Sequence, residues 1–470
     1  MKHLEERLGS RLVDEELISR EQLQSALERQ RMSGGRLGHN LVTLGYVQEG
    51  DLERFFRKSP AVPRTVEDTG LELSFIVDLL NKQVAFLGEF TIPGVSELIR
   101  LPVHLVDEAV EVMRRERLIQ VMGAAGMSKT SYRFSMTDAG RSRAADLLNI
   151  CRYTGPAPVT LEDYRRQIEI QTVMHMVVSP EEFRKSFSHL VLSDALLDVL
   201  GPAVCSARPI FLYGPAGNGK TSIAEAMGRA IPGRVYVPHA LVVGGEIITV
   251  MDKSVHEPVE PEEGREAHDQ RWVLVRRPTI MAGGELTMRT LDLDFNPVSR
   301  FYEAPLQMKA NNGLFIVDDL GRQEMSVEKL LNRWIVPLAR RTDMLTLHTG
   351  RKFEIPFDQM VIFATNVELS QIVDMAFLRR LRYKIKVDNP TPEQYRRIFV
   401  KVCQANNVEF RGEVFEYLVD QYYRRMDVRL CSCQPRDIID QIMDDAYYHN
   451  QRPEMTNEKI AMAWDNLFVR

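Results

Sequence analysis

Residues 210–224 read IFLYGPAGNGKTSIA, an apolar stretch followed by a glycine-rich turn and the start of a helical segment. The central part matches the pattern G-x-x-x-x-G-K-[ST] in the strand-to-helix context that the pattern requires. Glycines let the backbone curl so that its N–H groups point at phosphate oxygens, and the following helix N-terminus adds positive potential. The stretch therefore predicts a phosphate-binding loop on an α/β sheet. The alternative is a glycine turn that only joins a strand to a helix.

The side chains of this loop predict how a nucleoside triphosphate would be held. Lys220 would reach the β and γ phosphates, and Thr221 would bind Mg²⁺ through its hydroxyl. ATP and Mg²⁺ are therefore the predicted cofactors. The predicted nucleotide contacts are Gly214, Pro215, Ala216, Gly217, Asn218, Gly219, Lys220, Thr221 and Ser222.

Two acids follow a second apolar stretch, Leu314–Val317. Parallel strands end at one edge of a sheet, so Asp318 would lie beside the phosphates and hold Mg²⁺ through water. Asp319 would orient or deprotonate the attacking water. A pair of acids that caps a helix after a strand is the alternative.

The order and spacing of these segments resemble AAA+ ATPases over residues 178–470. The resemblance implies a doubly wound parallel α/β sheet at residues 178–388 and a helical lid at residues 389–470. Residues 344–347 and 352–355 flank a turn and predict a β-hairpin. A similar hairpin precedes the next polar strand end in one AAA+ clade.

Further site residues are implied by this resemblance. Asn366 follows an apolar stretch at residues 361–364 and would contact the γ-phosphate from between the two catalytic strands. Arg380, with Arg379 as second choice, would be the arginine finger that reaches a neighbouring subunit. Arg436 would face the nucleotide from the lid. Taken singly, Asn366 is better read as a polar strand end that starts a turn, and Arg379 and Arg380 as a basic helix end; only their order and spacing favour the site reading.

Composition limits the classes of function. The chain has 470 residues, enough for two to four domains, and a formal net charge of −5, which disfavours wholesale coating of nucleic acid. No apolar run is long enough to cross a membrane and the N-terminal region lacks an apolar signal segment, so we expect a cytoplasmic protein. The five cysteines fit a reducing compartment, and we expect the Cys431–Cys433 pair to be buried thiols rather than metal ligands.

Residues 1–57 contain a repeat in which two RLG segments, twenty-nine residues apart, each lead into an amphipathic helix. The repeat resembles the MshEN domain of type II secretion and type IV pilus ATPases, whose repeated motifs bind cyclic di-GMP. Glu16 and Ser59 depart from that family's pattern. A helical docking module without a ligand is the alternative. The residues that the resemblance assigns to cyclic di-GMP are Arg7, Leu8, Gly9, Arg36, Leu37 and Gly38.

Residues 71–150 read as three helices followed by two short strands, the order of a winged helix. The third helix carries three acids in its leading half, which a phosphate-rich groove would repel, so we favour protein packing over DNA binding. Residues 58–70 and 151–177 contain prolines and are expected to be linkers. Residues 232–312 are expected to be an insertion of strands and a loop between the first two catalytic strands.

The whole order resembles AAA+ proteins described as chaperone-like and associated with Flp-type pilus assembly. The main hypothesis is a ring oligomer, with a hexamer expected, that couples ATP hydrolysis to remodelling or assembly of a protein partner under cyclic di-GMP control. The alternative is a nucleotide-responsive DNA-binding regulator that uses the winged helix. A third hypothesis, an ATP-binding scaffold with little turnover, arises because Asp319 stands where this class usually has glutamate.

Overall fold

The computed structural model describes residues 9–10, 12–34, 37–48, 50–51, 55, 58–124, 132–176, 178–260, 267–367 and 381–468. Within these ranges the chain forms two small N-terminal modules, a central α/β region with two five-stranded sheets, and a C-terminal group of helices. This mixed α/β architecture contains the parallel sheet that the sequence predicts.

The first module contains α1 (Arg20–Ser33) and α2 (Leu37–Thr43). Ser19 begins α1 with a capping box: its side chain accepts a hydrogen bond from the Gln22 backbone N–H, and the Gln22 side chain accepts one from the Ser19 N–H. The apolar core of the module is small and consists of Leu12, Ile18, Ala26, Leu37, Leu41, Val47 and Phe55.

The second module follows the predicted order of three helices and a hairpin, with one further helix at its end. Its elements are α3 (Leu73–Val84), α4 (Ile92–Ile99), α5 (Val103–Arg115), β1 (Ile119–Ala124), β2 (Tyr132–Met136) and α6 (Asp138–Ile150). Strands β1 and β2 pair antiparallel. The sequence did not predict α6, which Thr137 caps by accepting a hydrogen bond from the Gly140 N–H. The winged-helix assignment and DNA binding stay predictions.

The central region runs from β3 to β16. In chain order its elements are β3 (Val159–Thr160), α7 (Leu161–Ile170), α8 (Pro180–Ser186), α9 (Asp194–Cys205), β4 (Ile210–Tyr213), α10 (Lys220–Ala230), β5 (Arg234–Pro238), β6 (Ala240–Val243), β7 (Glu246–Thr249), β8 (Trp272–Arg276), β9 (Thr279–Ala282), β10 (Asp294–Asn296), β11 (Phe301–Glu303), α11 (Leu306–Lys309), β12 (Leu314–Val317), α12 (Val327–Arg340), β13 (Thr342–Thr346), β14 (Lys352–Pro356), β15 (Met360–Thr365) and β16 (Tyr383–Lys386).

The central sheet has the strand order β16, β4, β15, β12, β9, and every neighbouring pair is parallel. The predicted strands at β4 and β12 coincide with the observed ones, and β15 contains the third. All four residues of β12 and all six of β15 are buried, as expected for strands covered on both faces. The β13–β14 hairpin is also confirmed, because these strands pair antiparallel.

A second, mixed sheet has the order β10, β11, β7, β6, β3. Two expectations from the sequence are wrong here. Residues 232–312 are not only an insertion, because β9 from this stretch pairs with β12 at the edge of the central sheet. Residues 151–177 are more than a linker, because β3 pairs with β6 and Tyr164 of α7 is fully buried. Both strands are too short to show a clear periodic pattern.

The C-terminal helices are α13 (Pro392–Ala405), α14 (Gly412–Leu418), a π-helical turn (Val419–Arg424), α15 (Gln434–Tyr448) and α16 (Asn457–Leu467). They have an apolar core of their own that includes Tyr395, Phe399 and Trp464. Helix α13 begins with a capping box between Thr391 and Gln394. This region is helical, as the sequence predicts for residues 389–470.

One buried ion pair joins the two segments that were expected to be linkers. The side chains of Arg271 and Asp269 are buried, with relative exposures of 3% and 4%. Their charged atoms lie 2.8 Å apart. The Arg271 guanidinium also donates hydrogen bonds to the carbonyl oxygens of Thr69, at 2.9 Å, and Pro158, at 3.2 Å. Arg271 thus connects residues 58–70 and residues 151–177 to the central region by hydrogen bonds.

We expect Arg271→Ala to lower the free energy of unfolding by about 3–5 kcal/mol, because it leaves the Asp269 carboxylate buried without its partner. Chemical denaturation of the full chain measures this change. Arg276→Ala is the matched control, since the Arg276 side chain forms an exposed ion pair with Glu257 at 3.6 Å, and its loss should change stability by no more than about 1 kcal/mol. Equal effects of the two substitutions would contradict the connecting role of Arg271.

Candidate functional site

The glycine loop (residues 214–221) joins β4 to α10, which begins at Lys220. Gly214, Gly217 and Gly219 have φ angles of 137°, 76° and 75°, which favour glycine. A Cβ atom on Gly214 would lie 2.3 Å from the Val387 carbonyl oxygen, so no larger residue fits there without a backbone shift. The sequence pattern thus produces the curled backbone that it predicts.

The Lys220 side chain lies over the glycine loop. Its Nζ donates hydrogen bonds to the carbonyl oxygens of Gly214, at 3.0 Å, and Pro215, at 2.8 Å. Burial lowers the pKa of Lys220, and the nearby carboxylates of Asp319 and Asp318 partly oppose this. The Lys220 ammonium is therefore held at the glycine loop, where it would neutralise the charge of bound phosphate groups.

Each of the two acids that follow β12 accepts a hydrogen bond at the carboxyl edge of the central sheet. The Thr221 hydroxyl donates a hydrogen bond to Asp318 Oδ2 at 2.8 Å. The Asn366 amide donates one to Asp319 Oδ1 at 2.6 Å. Strand β15, which ends before Asn366, lies between β4 and β12. The hydroxyl and carboxylate oxygens of Thr221 and Asp318 are hard ligands that suit Mg²⁺.

Gln323 holds the segment that carries the two acids. Its Nε2 donates to the carbonyl oxygens of Asp318, at 2.9 Å, and Asp319, at 3.3 Å, while its Oε1 accepts from the Gly321 N–H. Asp319 has a φ of 46°, in the left-handed region. Gln323 was not predicted from the sequence, because a glutamine a few residues after two acids carries no distinctive pattern.

A cleft of about 760 Å³ brings these residues together. Its polar wall includes Lys220, Thr221, Asp318, Asp319 and Asn366. The volume falls within the range of pockets that hold small ligands. Residues that the sequence analysis missed form its apolar wall: Leu190, Val191, Leu192, Ile398, Val402 and Ala405.

The remaining predicted nucleotide residues are distributed around this cleft. Gly217, Asn218, Gly219, Ser222 and Arg436 line it. Pro215 and Ala216 complete the loop. Asn218 also reaches the C-terminal side of the central region, where its amide donates to Asn389 Oδ1 at 2.7 Å. Arg379 and Arg380 lie outside the described residues, so the arginine finger stays a prediction.

The cysteine pair differs from its expectation. Cys433 is exposed and Cys431 is partly exposed, so these are not buried thiols. They follow a short irregular segment before α15 and contact the glycine loop. Among the described residues, no group of three or more His, Cys, Asp or Glu side chains is arranged to hold a metal ion.

The predicted cyclic di-GMP residues are only partly described. Arg7, Leu8 and Arg36 lie outside the described residues. Leu37 and Gly38 are buried in the core of the first module. A Cβ atom on Gly9 would lie 2.2 Å from Leu23 Cδ1, so this glycine permits close packing of the module.

Comparison with known proteins gives short or weak similarities. The family model described as "Domain of unknown function (DUF8689)" matches residues 391–466, within the C-terminal helices. The type IV pilus assembly ATPase PilB of Myxococcus xanthus (strain DK1622) is 41% identical over 80 residues, which are 17% of this chain and 14% of PilB. The similarity therefore spans a small part of that relative's length.

Two solved structures align over larger parts of the chain. NtrX from Brucella abortus aligns with a TM-score of 0.36 and 12% identity over 59% of this chain and 56% of NtrX. The Thermotoga maritima RuvB Holliday junction branch migration motor aligns with a TM-score of 0.32 and 12% identity over 62% of this chain and 71% of RuvB. Scores this low support no conclusion, and the fold is defined here by strand order and loop geometry.

Among the helices in the described part of the chain, none combines the length and the apolar character that a membrane span requires.

Proposed function

We propose that this chain is an ATPase of the AAA+ type that hydrolyses ATP to ADP and phosphate. The observation that carries the proposal is the meeting of three strand ends around the glycine loop. There Thr221 bonds to Asp318, Asn366 bonds to Asp319, and all four line the same cleft as Lys220. A phosphate-binding loop beside paired acids is the arrangement that triphosphate hydrolysis requires.

Each residue has a distinct part in the proposed reaction. Lys220 and the loop N–H groups bind the β and γ phosphates. Mg²⁺ held by Thr221 and Asp318 would neutralise charge on the phosphate oxygens. Asp319 accepts a proton from the attacking water, and the Asn366 amide fixes the direction of that carboxylate.

The trans contacts of this proposal involve a neighbouring copy of the chain. Arg380, or Arg379, reaches the γ-phosphate in the next subunit of a ring, for which a hexamer is the expected size. Arg436 contacts the nucleotide from the C-terminal helices, which act as a lid. Opening and closing of that lid would transmit the state of the nucleotide to a protein partner.

The biological setting follows from the two resemblances of the sequence. The N-terminal repeat supports control by cyclic di-GMP, with Arg7 and Arg36 pairing with its phosphates or guanine edges. The short similarity to a type IV pilus assembly ATPase supports a role in assembling or remodelling a pilus or secretion component. We place the reaction in the cytoplasm, where ATP is supplied.

We expect the purified full chain to release phosphate from MgATP at a steady rate that cyclic di-GMP changes. The double variant Arg7→Ala/Arg36→Ala should keep the basal rate but lose the response, because its site for the second messenger is removed. A phosphate-release assay with and without cyclic di-GMP measures both. No release under any condition would favour the scaffold hypothesis, and release without a response would refute only the regulation.

A further inference from the structure

The cysteine turn (residues 431–433) is in direct contact with the glycine loop. Cys431 Sγ donates to the Ala216 carbonyl oxygen at 2.9 Å, and the Ser432 N–H donates to Asn218 Oδ1 at 3.1 Å. The Cys433 N–H donates to the Gly217 carbonyl oxygen at 2.8 Å. The turn that begins α15 is therefore attached to the loop by its own backbone and by a thiol.

Both sulfur atoms lie over the same glycine. A Cβ atom on Gly217 would be 2.7 Å from Cys433 Sγ and 3.0 Å from Cys431 Sγ. Two thiols this close, one of them exposed, can be joined by a small movement of the turn.

The two thiols have different chemical characters. The neighbouring Cys433 thiol lowers the pKa of Cys431 to about 7, with smaller help from the Ser432 N–H and the Lys220 charge, while burial opposes the shift. The neighbouring Cys431 and burial raise the pKa of Cys433. Thiolates are the nucleophilic form, so Cys431, once it loses the proton that it donates to the Ala216 carbonyl oxygen, is the thiol that attacks first, and Cys433 is the thiol that follows. The reaction of Cys431 should accelerate as the pH rises through about 7.

We propose that Cys431 and Cys433 form an oxidation site for peroxides that controls nucleotide binding at the glycine loop. The Cys431 thiolate attacks one oxygen of hydrogen peroxide and, with one proton, yields a sulfenic acid and water. The Cys433 thiol then attacks that sulfur, forms the disulfide and releases a second water. Two thiols and one peroxide thus give one disulfide and two waters, and the peroxide is the species reduced.

The disulfide would alter the attachment of the turn to the loop. A sulfur bonded to another sulfur cannot donate to the Ala216 carbonyl oxygen, and the shorter separation of the two sulfurs changes the backbone that holds Asn218 and Gly217. The expected result is about tenfold weaker nucleotide binding, which corresponds to about 1.4 kcal/mol. In reducing compartments, disulfides of this kind are transient and act as sensors.

The test uses the reduced full chain, titrated with a fluorescent ATP analogue before and after treatment with hydrogen peroxide. Intact mass and peptide mapping report the disulfide independently of any activity. We expect loss of two hydrogen atoms, a Cys431–Cys433 disulfide, and about tenfold weaker binding that dithiothreitol restores. Cys205→Ser, which changes a partly exposed cysteine elsewhere, should respond like the original chain, whereas Cys431→Ser should show no change between its own untreated and treated samples.

This inference rests on nucleotide binding at the glycine loop, but the two can fail separately. A reduced chain that binds no nucleotide would refute the proposed function. A reduced chain that binds nucleotide would refute the oxidation site if peroxide produced no Cys431–Cys433 disulfide. The oxidation site would also be refuted if the disulfide formed but the affinity for the ATP analogue did not change. It would likewise be refuted if peroxide changed nucleotide binding in Cys431→Ser as it does in the original chain.

Discussion

Replacement of Lys220 by alanine should reduce kcat/KM for ATP hydrolysis by at least about 100-fold, because hydrogen bonds to charged groups contribute about 1.5–3 kcal/mol each and Lys220 is expected to contact two phosphate groups. Its ammonium lies 2.8–3.0 Å from the carbonyl oxygens of Gly214 and Pro215 in the loop. Steady-state phosphate release measures the loss, and titration with a fluorescent ATP analogue separates binding from turnover.

The control for this substitution is Lys185→Ala on α8, which removes an exposed lysine elsewhere. Thermal denaturation of both variants shows whether the loop still folds, since Lys220 also holds two of its carbonyl oxygens. Full ATPase activity in a folded Lys220→Ala chain would contradict the assignment of the site.

The second large effect is expected for Asp319→Asn, which should lower kcat roughly 100-fold or more while nucleotide affinity stays nearly constant. Asparagine preserves the shape of the side chain but cannot accept the proton of the attacking water. It also tolerates the left-handed backbone, with φ of 46° at this position, as aspartate does. Stability should therefore be unchanged, and kcat and KM measured under saturating Mg²⁺ give the effect.

Asp318→Asn provides the comparison for Asp319→Asn. It replaces the charged carboxylate that Thr221 contacts with a neutral amide, so its main expected effect is a higher Mg²⁺ concentration for half-maximal activity. If Asp319→Asn changed the Mg²⁺ requirement and Asp318→Asn changed only kcat, the proposed roles of the two acids would have to be exchanged.

The left-handed conformation also gives a physical reason for aspartate at position 319. Asp and Asn are the side chains that adopt positive φ most readily after glycine, whereas longer side chains do so less often. Gln323 supports this conformation by donating hydrogen bonds to the carbonyl oxygens of Asp318 and Asp319. The departure from glutamate therefore fits the local backbone and does not by itself argue against hydrolysis.

The parts of the site that the sequence predicted are those with strong local signals. The apolar run of β4 ends at a glycine turn, and that of β12 ends at two acids. The pattern therefore predicts where both strands end and that these ends lie at the same edge of the sheet. Asn366 was placed by resemblance, and the structure brings it to Asp319.

The parts that the sequence did not predict depend on contacts between distant segments. Strand β9 is identified only by its pairing with β12, and the apolar wall of the cleft combines residues 190–192 with α13. The sequence predicted buried thiols, whereas Cys433 is exposed, because a CxC pair carries no information on which distant segments cover it. Propensity and periodicity carry no information on such contacts.

The two-residue strand β3 has a consequence for the order in which the chain folds. Val159 pairs with Leu241 of β6, and α7, α8, α9, β4, α10 and β5 lie between them. During synthesis the N-terminal part emerges first, so β3 can pair only after β6 has been made. This pairing also costs the entropy of closing a long loop. Strand β4 waits longer still for β15 and β16. Both sheets are thus completed late, and refolding of the central region should be slow compared with that of the helical ends.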